Sequence, residues 1–198
     1  MPNKMKGKIF NTQEVQAMLN GSKVMFREVI KPQPRDELIE RHGYWGTGLH
    51  DDPRWEKAPY QVGQKIFVKE SYWGRGDNII YKADYESYKP ISLWCRAMKQ
   101  EHSRLTPLIK EIKVERLAEI SADDCWKEGI AYSPECCQNY IAVPDCNGNP
   151  TPSCCNNPNL ADPRGDFKAI WNATHKKPEE KFEASPFCWV VSFEIINN

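Results

Sequence analysis

The sequence predicts a small α+β domain built around a twisted, barrel-like sheet. Three observations predict it. The periodic segments run helix, several strands, helix, irregular stretch, helix, strand, an order that places a few helices beside one sheet. The closing segment, residues 188–196, is apolar on both faces, as a central strand requires. The length of 198 residues, with no internal repeat, fits a single domain spanning 1–198 with insertions at about 31–59 and 131–160.

Residues 11–20 read as the first helix. Asn11 is placed to cap it, with Glu14 as capping-box partner. Phe10 and Val15 are spaced as a hydrophobic staple, and Gly21 stands where a left-handed residue ends a helix. Residues 23–30 read as a strand that opens with Lys23. Arg27 lies four residues on, so both cations project from one face. Residues 31–60 are rich in Pro, Gly and aromatic residues and read as a long loop. Residues 65–73 form the clearest strand, and residues 79–83 a short one. Residues 104–117 read as an extended pair or one long bent strand broken at Pro107. Ser121 caps a second helix over 121–130, with Asp123 and Asp124 in its first turn. A third helix spans 163–175, with Phe167, Ile170, Trp171 and Thr174 on one face.

Charge and cysteine content narrow the classes. Lys plus Arg equal Asp plus Glu at 27 each, so no global field draws the chain to nucleic acid. The first residues lack the apolar run of a signal peptide, and no apolar run is long enough to span a bilayer. A soluble, cytoplasmic protein is expected, with its eight cysteines as thiols or metal ligands. Five of them, Cys136, Cys137, Cys146, Cys154 and Cys155, crowd the second insertion. Four thiolates can hold a structural zinc, but vicinal cysteines chelate one metal poorly. Reduced thiols on a surface insertion, with no cofactor, are therefore the preferred reading, and structural zinc is the alternative. His42, His50, His102 and His175 show no ligand spacing. No phosphate-binding glycine loop, serine-hydrolase elbow or paired-histidine helix is present in the sequence.

Scattered blocks then carry a family resemblance. They are Phe10 to Thr12, the Gly21-Ser22-Lys23 turn with Arg27 and Ile30, and Tyr60 to Gly63. Val68 to Trp73, Tyr81 to Asp84 and Glu101 to Leu105 follow. Val114 to Leu117, Ile120, Glu128 to Ile130 and Pro186 to Glu194 complete the set. In order and spacing these resemble the ASCH-domain proteins of the long phage and prophage type. The resemblance implies a PUA-like fold, a β-barrel with helices flanking a cleft, and an association with RNA binding or RNA modification. Some small bacterial members deacylate N4-acetylcytidine with a lysine, a threonine three residues on and a glutamate in a later helix. Carried over, the lysine is Lys23 and the glutamate Glu128, the catalytic pair that the resemblance implies. Phe26 stands where the threonine would be.

The residues admit three readings. The first is recognition of RNA, a nucleotide or a modified nucleoside through a cleft lined by Lys23, Arg27, Arg104 and Glu128. Ser103 would sit beside Arg104, and Glu70 would face inward toward Lys23 or Arg27. The second is an N4-acylcytidine amidohydrolase with Lys23 as base and Glu128 as proton carrier. The third is a phage accessory protein binding a host protein through the 31–59 loop and the cysteine-rich insertion. Phe26 favours the first over the second. The plain alternative for Lys23, Arg27 and Glu128 is an exposed ion-pair set. Tyr72 and Trp73 are read as core aromatics.

Overall fold

A three-stranded antiparallel sheet organises the protein, in the order β2 (Met25–Val29), β10 (Phe187–Ile196), β9 (Thr106–Arg116). The structure is a computed structural model. It describes residues 5–34, 38–41, 44–46, 55–75, 78–84, 94–130 and 162–196. β10 is central, as its two apolar faces require, and β2 and β9 are its outer neighbours. β1 (Lys6–Ile9) pairs in parallel with β6 (Ile66–Lys69). β6 is tied to the outer side of β9 by Val68 N–H donating to Leu105 O and Ile109 N–H donating to Gln64 O. β7 (Tyr72–Arg75) and β8 (Asn78–Tyr81) form a hairpin. The described strands thus make a mixed α+β fold with several sheets and no closed barrel among them.

Three helices complete the frame: α1 (Thr12–Leu19), α2 (Ala122–Lys127) and α3 (Arg164–Thr174). α1 starts with the capping box expected from Asn11 and Glu14, both bonds at 2.9 Å. Ser121 accepts from Asp124 N–H at the start of α2. Among the described residues, no helix is long and apolar enough to cross a membrane.

Alternation along the central sheet divides the core. Phe26, Ile30, Trp189, Val191 and Phe193 join Phe10, Val15, Tyr60 and Ile66 on one face. Val29 and Cys188 on the other face meet Cys125, Phe167 and Trp171 from α2 and α3.

Several sequence expectations need correction. The predicted strand 23–30 is shorter: Lys23 precedes β2 and is held by an isolated bridge to Glu128. The predicted strand 65–73 is two strands parted at Glu70 and Ser71. The stretch 31–60 is not all loop. β3 (Ile39–Arg41), β4 (Tyr44–Gly46) and β5 (Trp55–Lys57) form a small antiparallel meander, and Trp45 packs edge-on to Trp189 at 5.8 Å. Trp73 is not core but 46% exposed on β7. The 131–160 insertion with Cys136, Cys137, Cys146, Cys154 and Cys155 lies outside the described residues, as do His42 and His50.

Candidate functional site

The site begins where α2 ends. Glu128 forms an antiparallel bridge with Lys23, and Val24 N–H donates to Lys127 O at 2.8 Å. The approach depends on Gly129. Its φ is +84°, and a Cβ there would lie 2.8 Å from Ala17 Cβ and 2.9 Å from Lys23 Cβ. Only glycine meets both conditions without strain.

This junction brings Lys23, Arg27 and Glu128 together. Lys23 Nζ donates to the Glu128 carbonyl oxygen at 2.8 Å and to Oε2 at 3.0 Å, and lies 3.5 Å from Glu14 Oε1. Three acceptors thus serve an ammonium that has three donors. Arg27 Nη1 donates to Glu128 Oε1 at 2.9 Å, so the two cations hold both carboxylate oxygens. Arg27 Nη2 donates to Glu115 Oε2 at 3.0 Å and Asp124 Oδ2 at 3.1 Å. Lys113 stands behind these, paired with Glu115 and 3.6 Å from Asp124. Burial works against the Arg27 charge, but Glu128 and Glu115 outweigh it and hold the group above the ordinary arginine range. Arg27 Nε is buried without a partner among the described residues.

Burial excludes the exposed ion-pair alternative: Lys23 is 2% and Arg27 6% exposed. Buried charges must be paired and hydrogen-bonded, as these are.

A cleft of about 850 Å³ opens over the cluster. α1 contributes Glu14 and Ala17 to the lining, and α3 contributes Phe167 and Trp171, with His175 just past its end. The outer strand β2 lies between them and offers side chains from both its faces, Phe26 and Glu28 from one and Arg27 from the other. Phe26 is held edge-on by Phe10 at 5.7 Å and Tyr60 at 5.5 Å. The Trp171 and His175 rings stack at 3.9 Å and 10°. The lining residues Lys8, Lys23, Arg27 and Lys31 are matched by Glu14, Glu28, Glu128 and Glu180.

The nearby hydroxyls and thiols are committed elsewhere. Ser22 Oγ donates to Ala17 O at 3.2 Å, and Thr174 Oγ1 to Trp171 O at 2.9 Å. Burial pushes the Cys125 and Cys188 thiols up to about 12.

Arg104, Glu70 and Ser103 form a second cluster and do not line this cleft. Arg104 Nε and Nη2 clamp Glu70 at 2.9 and 3.0 Å, Nη1 reaches Asp84 at 2.7 Å, and the guanidinium lies 4.1 Å over the Tyr81 ring. Glu70 is buried as expected, but its partner is Arg104, not Lys23 or Arg27. Burial raises the Glu70 carboxyl pKa against the pull of Arg104. Ser103 Oγ lies 2.8 Å from Val68 O and 3.1 Å from Leu105 O, fixing the start of β9 to β6.

Sequence reasoning missed Lys8, Glu28, Glu115, Trp171 and His175 as parts of the site. Trp171 was legible as an apolar-face residue, and Glu28 only as the neighbour of Arg27. Lys8 gave no signal, because β1 alternates too weakly to read as a strand. Among the described residues, no three His, Cys, Asp or Glu side chains are grouped to hold a metal ion. No family model, no curated protein and no solved structure matches the chain.

Proposed function

We propose that the protein recognises a single nucleoside, free or flipped from a strand, in the cleft beside Glu128. In this reading it is a PUA-like ASCH domain, and the sheet β2–β10–β9 with α1 and α3 supplies the two walls of the family's cleft. The observation that carries the reading is a buried, doubly clamped carboxylate at the foot of an aromatic cleft. A carboxylate accepts from an exocyclic amine, as toward cytosine, and its remaining lone pairs stay available while Lys23 and Arg27 fix its orientation. The His175 ring, stacked flat on the buried Trp171, offers a surface to a base at the cleft wall. The balanced lining favours a neutral nucleoside over a phosphate backbone.

The second reading is amide hydrolysis, N4-acetylcytidine plus water giving cytidine plus acetate. Lys23 at 3.0 Å from Glu128 supports a proton relay. The core aromatic at position 26 and the committed hydroxyls of Ser22 and Thr174 favour recognition instead.

Calorimetric titration with N4-acetylcytidine and with cytidine tests both readings on one sample. Binding weakened about tenfold or more by Glu128→Gln is the expected result, the loss of one charge-assisted hydrogen bond. Release of acetate from the same mixture would move the assignment to hydrolysis. Absence of binding, or binding indifferent to Glu128→Gln, would overturn the proposal.

A further inference from the structure

We propose that Glu28, held by Lys8 and Tyr60, reads the ribose hydroxyls and makes the cleft selective for ribonucleosides over deoxyribonucleosides. The inference rests on the nucleoside reading above and adds the class of sugar.

Among the described residues, one oxygen of Glu28 is held and the other is not. Tyr60 Oη donates to Glu28 Oε1 at 2.9 Å, and Lys8 Nζ pairs with the same atom. Among the described residues, Oε2 has no partner, although the side chain is only 30% exposed and lines the cleft. Two donors on one oxygen fix the plane of the carboxylate and leave the other oxygen as a pre-oriented acceptor. An ionised carboxylate only accepts, so it selects a ligand that presents hydroxyl or amine donors.

Each supporting group is itself fixed. Tyr60 is 3% exposed, its ring lies edge-on to Phe26, and Lys6 Nζ lies 4.1 Å from its ring centroid. Burial first, and Glu28 second, push Tyr60 ionisation upward, so the phenol remains a donor. Lys8 Nζ lies 4.3 Å over the buried Phe26 ring, which holds the ammonium in place beside Glu28.

Position then selects the sugar. Arg27, which holds Glu128, and Glu28 are consecutive, with Cα atoms about 3.8 Å apart. Their side chains leave opposite faces of β2, yet both line the cleft because it wraps this outer strand. In this proposal a base against Glu128 extends its attached sugar along the shared cleft toward Glu28. A carboxylate that accepts from a ribose 2′-hydroxyl is an established way to recognise that sugar, and the 2′-hydroxyl is what separates RNA from DNA.

The test is titration with N4-acetylcytidine, its 2′-deoxy counterpart and the free base N4-acetylcytosine. It uses the full chain, as wild type, Glu28→Gln and Tyr60→Phe, each checked for fold by circular dichroism. Wild type should prefer the ribonucleoside over the deoxyribonucleoside by about tenfold or more. Glu28→Gln, which keeps an acceptor for Tyr60 but turns the free oxygen into a donor, should bring the ratio below about threefold. Tyr60→Phe should lower it part of the way. Equal binding of both nucleosides by wild type would overturn the inference and leave the nucleoside reading standing. A ribose preference that survives Glu28→Gln would overturn the assignment of Glu28. No binding of either nucleoside or of the base would remove the reading and the inference together.

Discussion

Arg27→Met is the perturbation that most directly tests whether the site is a desolvated charge cluster. Methionine keeps the unbranched stem as far as the Nε position and leaves out the guanidinium, which touches Met25 Sδ at 3.5 Å. What is lost is charge. The Arg27 side chain is fully shielded from solvent and serves three carboxylates, Glu128, Glu115 and Asp124. Removing one partner of a buried pair costs about 3–5 kcal/mol, because the remaining charge stays buried. Lys23 still serves Glu128 and Lys113 still serves Glu115, which places the expected loss toward the lower end. At about 2–4 °C per kcal/mol for a chain of this size, Tm should fall by roughly 6–20 °C. Urea unfolding followed by tryptophan fluorescence reads the loss as a lower midpoint at unchanged m-value. Adding Glu128→Gln should recover part of it, since the second change removes a carboxylate that the first left short of a cation. Contacting residues of this kind show coupling of about 0.5–3 kcal/mol in a double-mutant cycle. A loss under about 1 kcal/mol, the range of surface pairs, with no coupling to Glu128, would refute the desolvated cluster.

Three further outcomes follow from the same geometry. Cys125 and Cys188 should resist alkylation in the native protein at pH 8 while exposed Cys95 reacts, read by peptide mapping. Burial raises both thiols from the ordinary 9.0 to about 12, so their contribution to stability is complete below pH 9 and is lost as pH rises from 9 toward 12. Labelling of Cys188 as fast as Cys95 would contradict this. Gly129→Ala should lower stability by about 2–4 kcal/mol, combining left-handed backbone strain with contacts under 3.0 Å to Ala17 and Lys23. An unchanged urea midpoint would mean that the Lys23–Glu128 bridge tolerates displacement. Nucleoside affinity should vary little between low and high salt, because the cleft lining balances its charges. A log–log slope steeper than about −2 would indicate several phosphate contacts, and hence a single-stranded nucleic acid as ligand.

The parts of the fold that the sequence revealed are those set by local chemistry. The Asn11–Glu14 capping box lies within one turn of helix, and β10 is apolar on both faces because strands flank it on both sides. Pro107 looked like a break in a strand, yet β9 runs through it. Ile109 N–H points to Gln64 O, away from β10, and Pro107 shares that parity, so its missing N–H removes nothing from the β9–β10 ladder. The three-residue strands of the β3–β5 meander are too short to show a period of two, and β1 pairs with a strand about sixty positions away.

The site shows the same limit more sharply. A spacing of four placed Lys23 and Arg27 on one face, and both meet Glu128, although Lys23 does so through a bridge that precedes the strand. Choosing their partner was a different problem. Glu70 and Glu128 are both carboxylates next to predicted strands or helices, and charge alone does not rank them. The backbone decides: Gly129 lets Glu128 close onto Lys23 across 105 positions, while Ser103 fixes β9 to β6 and so delivers Arg104 to Glu70. Two cation–carboxylate clusters, each around a shielded carboxylate, result where one was expected. Of the two, the first places its central carboxylate, Glu128, in a cleft, whereas the second adjoins one through Asp84 and not through Glu70.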